Sequence, residues 1–372
     1  MSGDLVTLSL CGDVMLGRGV DQILPHPGDP QLRESYIRDA RGYVELAEAA
    51  NGPIPRPVDF GWPWGDAAAV LDTAAPDVRV INLETGVTQA DSYAPDKGIH
   101  YRMAPANLPC LASVRPDVCV LANNHVLDFG RPGLAETLDQ LAAARLRTAG
   151  AGLDSARAWR PALVPVGGGR RVVILAIGMP SSGIPPHWAA TADRSGVALV
   201  ERPTAAAAAD VAGRLRRAAR PGDVTVVSVH WGSNWGYQVS PEDVGFAHAL
   251  VDGGVDLVHG HSSHHPRPVE VYRGRLVLYG CGDLIDDYEG IEGYERYRDD
   301  LRPLYLATVE GATGRLRSLR VHPLHARRMR LWHASAEDRA WLLAVLDRIS
   351  RPFGTRVRSL PDSSLGCFTT RP

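Results

Sequence analysis

Seven short β-branched and aliphatic runs recur along this chain, and each closes on a cluster of polar or glycine residues. Residues 5–10 lead into Cys11-Gly12-Asp13, 78–81 into Asn82-Leu83-Glu84, and 118–121 into Asn123-Asn124-His125. Further on, 172–177 lead into Gly178-Met179-Pro180, 224–229 into His230-Trp231-Gly232, 257–258 into His259-Gly260-His261, and 276–279 into Cys281-Gly282-Asp283. Such runs suit buried strands, and the segments between them (67–74, 133–144, 205–219 and 241–251) carry apolar residues at helical spacing. Strands alternating with helices predict a layered α/β domain. Open α/β sheets hold their sites at strand ends, so seven polar ends in one chain predict one shared active-site edge.

A chain of 372 residues can bury a large core, and 45% hydrophobic with 22% charged residues excludes a disordered chain. Its net charge of −2 provides no field to gather nucleic acid, so no nucleic-acid partner is expected. Lys97 is the single lysine among 40 basic residues, a bias that base composition explains as readily as function. The cysteines Cys11, Cys110, Cys119, Cys281 and Cys367 are odd in number, widely spaced and free of any C-x-x-C pair. That pattern argues against a disulfide framework and for a reducing, cytoplasmic setting. Met1-Ser2-Gly3-Asp4 pass into the first strand without an export signal, and no apolar run nears the roughly 20 residues of a membrane helix. A cytoplasmic chain with no membrane partner is therefore expected.

Residues 19–64 hold seven prolines, with helical spacing only over 33–49, and read as a long insertion and candidate lid. From Ser335 a capped helix with apolar Leu342, Leu343, Val345 and Leu346 is predicted to cover the sheet edge, and 350–372 reads as loose. The expected division is one domain over 1–325, including its insertion, and a helical extension over 326–372 packed on it.

At the strand ends stand Asp13, Glu84, Asn124, His125, His230, His261, His264 and Asp283. Carboxylates, an amide oxygen and imidazoles form a mixed nitrogen and oxygen donor set for one or two divalent ions such as Mn²⁺, Fe²⁺, Zn²⁺ or Co²⁺. Taken singly, each has an ordinary reading as a helix cap or a surface imidazole. Together they supply the roughly three to six donors that a one- or two-metal catalytic site needs.

Gly12-Asp13-Val14-Met15-Leu16-Gly17-Arg18, Asn82-Leu83-Glu84, Ala122-Asn123-Asn124-His125 with Asp128 and Gly130, His230-Trp231-Gly232, Gly260-His261-Ser262-Ser263-His264, and Val277-Leu278-Tyr279 before Gly282-Asp283 follow one another along the chain. In that order they resemble the motifs of the CapA family of poly-γ-glutamate capsule proteins, within the calcineurin-like metallophosphoesterase superfamily. The resemblance covers roughly 4–325 and implies a four-layer αββα sandwich with a divalent-metal site at the sheet edge. It makes Asp13 a first-metal ligand, Glu84 the bridging carboxylate, and Asn124, His230 and His261 second-metal ligands, with His264 completing the first site. His125 becomes the general acid or hydrogen-bond donor, oriented by Asp128. Three positions depart from the pattern. Met15 stands where phosphoesterases carry a metal-binding histidine, two residues rather than one separate His261 from His264, and Asp283 replaces an asparagine common among CapA relatives.

A Lewis acid can polarise a phosphoryl or carbonyl oxygen and activate water, which makes hydrolysis the superfamily's default reaction. On a peptide carbonyl it also acidifies the neighbouring Cα–H, and a base and an acid on opposite faces would then invert that centre. Soluble CapA relatives found with ribosomally made peptides, including lasso peptides, act as peptide epimerases, and this chain is similar to them in lacking an anchor. The favoured expectation is Cα epimerisation in such a precursor peptide, with His125, Asp128, Asp283 and His265 supplying the bases. The alternative is metal-dependent hydrolysis of phosphoester, γ-glutamyl or other amide bonds, or a role in poly-γ-glutamate capsule synthesis. The expected partner is a peptide, gripped by Trp231 and Trp235 and held at a carboxylate by Arg18 and Arg102.

Overall fold

The computed structural model describes residues 5–95 and 97–369; Met1 to Asp4, on which the export expectation rests, lie outside the described residues. In chain order the strands of its two main sheets are β1 (Leu5–Val14), β2 (Val78–Leu83), β3 (Val118–Val120), β4 (Arg147–Ala149), β5 (Ala162–Pro165), β6 (Arg171–Gly178), β7 (Val224–His230) and β8 (Leu257–His261). They continue as β9 (Val269–Tyr272), β10 (Arg275–Leu278), β11 (Asp283–Ile285), β12 (Leu301–Glu310), β13 (Leu316–Ala326), β14 (Leu331–His333), β15 (Thr355–Ser359) and β16 (Leu365–Thr369). One sheet runs β15-β16-β13-β12-β1-β2-β3-β4, with β11 also paired to β1 and β14 to β13; the other runs β9-β10-β8-β7-β6-β5. The longer helices are α1 (Arg18–Ile23), α2 (Arg41–Asn51), α3 (Gly65–Ala74), α4 (Gly130–Ala143), α5 (Ala205–Ala218), α6 (Pro241–Asp252) and α7 (Ala336–Ser350).

Period-two alternation along the strands divides the apolar residues into three packed layers. Leu8 and Leu10 of β1 and Val80 of β2 pack against Ile174 of β6 and Val226 of β7, between the sheets. Ile81 and Leu83 point the other way and pack with Val20, Ala67 and Leu134 from α1, α3 and α4. On the far side, Val173, Leu175, Val227 and Val229 pack with Val211 and Leu215 of α5 and Phe246 and Leu250 of α6. The result is the four-layer αββα sandwich that the resemblance implied. Each fully buried Leu or Ile in these layers contributes about 1.5–3 kcal/mol.

Two local expectations are corrected. The helix expected over 33–49 is α2 at Arg41–Asn51, because the residues before it turn inward and bury Glu34 against Arg18. The segment read as loose forms β15 and β16, which extend the first sheet beyond β13. Their alternation explains this: Thr355, Val357, Leu365 and Cys367 are buried, while Arg358 and Phe368 face outward. Between them and β13, α7 begins at a Ser335 and Asp338 capping box and directs Leu342, Val345, Leu346 and Ile349 into the inter-sheet layer. No helix among the described residues is long and apolar enough to cross a membrane.

Candidate metal centre

Strand register builds the site. On the first sheet, Asp13 of β1 lies opposite both Asn82 of β2 and Asp283 of β11, all in parallel pairs. That approach depends on Gly12, where a Cβ would stand 1.7 Å from the Gly282 carbonyl oxygen. On the second sheet, parallel β7 and β8 set His230 opposite His261. His230 shares the inward face of β7 with Val226 and Ser228, so the second sheet's imidazoles meet the first sheet's carboxylates at one end of the inter-sheet layer.

Among the described residues, two donor sets lie within 4.8 Å: Asp13 with His230 and His261, and Asp13 with His264 and Asp283. Asp13 is common to both. Glu84, expected to bridge, stands beside it, and the Asn82 amide donates to Asp13 Oδ1 at 2.7 Å and to Glu84 Oε2 at 2.9 Å.

Hydrogen-bond partners fix the ring tautomers. His259 Nε2 donates to the Cys11 carbonyl at 2.8 Å, so its Nδ1 accepts from the Ser228 hydroxyl at 3.1 Å. The Ser228 oxygen in turn accepts from His261 Nε2–H at 2.8 Å, which leaves His261 Nδ1 as a bare lone pair. His230 Nε2 donates to Asn124 Oδ1 at 3.0 Å, leaving its own Nδ1 bare, 2.8 Å from that of His261. Two lone pairs thus face each other beside Asp13, whose Oδ2 is buried without a partner. A divalent cation fits this donor set, and the Ser228 oxygen, by accepting from His261 Nε2–H, would hold that ring in place for it.

The electrostatics agree with that fit. Burial, then repulsion from Asp283, pushes the Asp13 carboxyl up to about 7, and burial with Asp13 beside it raises Glu84 well above the carboxylate range. Burial works against a charged His264, but the Asp283 carboxylate 3.0 Å away outweighs it and lifts the imidazole to about 9. Burial likewise opposes the Asp283 charge; His264, then Arg302 at 3.2 Å, hold that carboxyl down to about 2.

A cavity of about 380 Å³ opens over the cluster. His125 lines it with Glu84, Asn124 and His264, and its Nε2 lies 3.9 Å from Glu84 Oε1. Behind the ring, Asp128 Oδ2 accepts from His125 Nδ1–H at 2.6 Å and from the Tyr101 backbone N–H at 2.7 Å. Tyr101 stacks on His125 at 3.8 Å between centroids. Burial, then the nearby Lys97 and Arg18 charges, keep His125 neutral well below its usual range. At the mouth, Trp235 stacks on Tyr294 at 3.9 Å.

Several expected residues stand elsewhere. Trp231 follows the inward His230 and so turns outward, where it is buried against Phe246 and Tyr279 and donates to the Tyr279 carbonyl at 2.9 Å. Arg102 lies outside the cavity lining, paired with Asp91 at 3.0 Å and stacked over Phe129. Arg18 reaches the lining, but its guanidinium is taken by Asp287, Glu34 and Tyr43. His265 is wholly buried behind Trp235, stacked on Tyr297 at 4.5 Å. Asp128, with no exposure, orients His125 and does not reach the cavity itself. Asn82, Ser228, His259, Arg302 and Lys97 were not named as site residues from the sequence; Asn82 and His259 stand in the polar clusters that close two strands and Lys97 is the one lysine, while Ser228 and Arg302 carried no signal.

A family model described as bacterial capsule synthesis protein PGA_cap matches residues 7–288. A probable polyglutamine synthesis accessory protein of Mycobacterium tuberculosis (strain ATCC 25618 / H37Rv) is 56% identical over 363 residues, covering 97% of this chain and 96% of that protein. The PGA biosynthesis protein CapA of Bacillus subtilis (strain 168) is 27% identical over 316 residues, covering 84% of this chain and 70% of its own length. Among solved structures, one described as a novel phosphatase from Mycoplasma pneumoniae aligns with a TM-score of 0.44 at 11% identity, covering 87% of this chain and 94% of that one.

Proposed function

We propose that this chain, which belongs to the PGA_cap family of bacterial capsule synthesis proteins, is a divalent-metal-dependent enzyme of the hydrolase type that acts on the amide bonds of a glutamyl polymer. The observation that carries this reading is the pair of donor sets sharing Asp13 at the floor of a cavity that His125 also lines. The polymer comes from the names of the relatives, which speak of polyglutamine and PGA synthesis. None of the relatives described above is named for peptide epimerisation, and the polymer reading takes the place of that expectation.

A cation held by Asp13 with His230 and His261, or by Asp13 with His264 and Asp283, would supply Lewis acidity toward a carbonyl or phosphoryl oxygen and activate water as the nucleophile. The chain's own residues do the rest. Asp128 holds His125 with Nδ1 protonated, so Nε2 presents a lone pair toward Glu84 and the cavity. From there His125 accepts a proton at Nε2 from the attacking group and returns it to the leaving amine. Trp235 and Tyr294 offer a flat apolar face for the chain of the substrate at the mouth.

The test is incubation of Mn²⁺-, Co²⁺- or Zn²⁺-loaded protein with γ-linked and α-linked glutamyl oligomers in D₂O, followed by mass spectrometry, with chelator and D13N controls. Metal-dependent shortening of one oligomer is the expected result. Deuterium gained at Cα of an intact chain would return the reading to epimerisation, and turnover of a phosphodiester alone would move the substrate class to phosphoesters.

A further inference from the structure

Of the 40 basic residues in this chain, 39 are arginine, and the one lysine lies inside the candidate site. Base composition explains the arginine bias as readily as function does, but it says nothing of where the one lysine stands. The Lys97 side chain is 17% exposed, and its ammonium touches the Asn124 carbonyl oxygen, Asp128 Oδ1 and, at 3.1 Å, His125 Nδ1.

Asn124 and Asp128 belong to one short stretch, and the placement of their two acceptor oxygens favours an ammonium; His125 Nδ1, whose hydrogen goes to Asp128, is a neighbour of the ammonium and not its acceptor. Asp128 is fully buried and uses its other oxygen for the His125 Nδ1–H and the Tyr101 backbone N–H. Lys97 thus supplies that carboxylate's cation and, through a second donor, reaches the backbone of the residue whose side chain contacts His230. A compact, tetrahedral ammonium sends donors from one nitrogen to a carbonyl and a carboxylate on different sides. A guanidinium spreads its donors in a planar fork and is wider at the same reach.

We propose that Lys97 is a positioning residue of this centre: its ammonium ties the Asp128 carboxylate that holds the His125 ring to the backbone of Asn124, and arginine cannot replace it. The proposal rests on the reading of His125 as the proton-moving group of the site. Lys97 acts through Asp128 and His125. Its loss removes the countercharge from a buried carboxylate and frees the ring to turn or to exchange its tautomer.

The test compares ¹⁵N-histidine-labelled wild type with K97R, K97M and D128N at one pH, reading the His125 ring nitrogens by NMR, with H125Q to assign them and thermal melting to follow folding. Wild type is expected to hold His125 as a single Nδ1–H tautomer, and all three variants to lose that single state. K97R keeps the positive charge, so it carries the test if K97M fails to fold. With a substrate in hand, K97R is expected to lower kcat on the order of tenfold with KM within about twofold, less than the roughly 100- to 10,000-fold that an acid–base group in place contributes. A folded K97R that retains the wild-type His125 ring signals overturns the proposal. Should wild type turn over no glutamyl oligomer, the function proposed above fails, and the ring signals still decide the role of Lys97.

Discussion

Asp13 is the one carboxylate that both donor sets require. Replacing it by Asn removes a charge from each set, and D13N is expected to lower bound metal by at least about 100-fold in affinity, measured by isothermal titration and elemental analysis. Ser228 tests the tautomer argument more gently. S228A leaves His261 free to carry its proton on Nδ1, so metal affinity should drop about 10- to 100-fold with the fold intact. Uptake is also expected to depend on pH. With Asp283 beside it, metal-free His264 holds its proton up to about pH 9, and a cation must displace that proton. Apparent affinity should therefore rise as pH rises toward about 9, and titrations in buffers of different ionisation enthalpy should count at least one proton released, and a further one below about pH 7, where Asp13 also holds its proton. Asp13, Glu84, His230 and His261 stand out in the sequence as candidate donors because each lies in the polar cluster that closes an apolar run, whereas His264 stands further along the Gly260-His261-Ser262-Ser263-His264 motif. Arg18 was not legible as a bound arginine, since Asp287, which neutralises it, lies 269 residues away in sequence. Trp231 fails for a simpler reason: a residue beside an inward ligand on a strand points outward.

Among elements, β1 carries the most consequence. Its Gly12 lets β11 lie alongside, and G12A should force the strands apart, lowering the melting temperature and the metal content together. The junction of α7 and β15 depends on Asp347, which accepts from Arg356 Nε at 2.7 Å, Arg351 Nη2 at 2.7 Å and the Val357 N–H at 3.0 Å. These partners, Arg356 first, hold its carboxyl well below the usual range. A depressed carboxyl contributes stability above its unfolded value near about 3.9 and loses it as pH falls through its folded value. The junction should thus weaken below roughly pH 4, and D347N should flatten that part of the stability curve in urea melts. The strands around this junction escaped the sequence reading because Val357, Leu365 and Cys367 are too few to mark a strand until β13 offers an edge to pair with.

For the whole molecule, deleting 351–372 removes β15 and β16, uncovering the β13 edge and the inter-sheet apolar residues behind it. Aggregation on size-exclusion chromatography is the expected outcome. The αββα order was legible from alternating strands and helices, but which strand neighbours which was not, because β1 pairs with β11 and β12 across more than two-thirds of the chain. Added Mn²⁺ or Zn²⁺ should raise the melting temperature, since a ligand at 100 times its Kd stabilises the folded state by about 2.7 kcal/mol, and chelation should reverse the gain. The donors come from both sheets, so neither half can capture an ion before the two have docked. Such a site is completed late on the folding path, and a bound cation should slow unfolding while leaving refolding at its metal-free rate. On that basis metal is a latch rather than a template, and a cell short of it would make the protein at the usual speed and lose it faster.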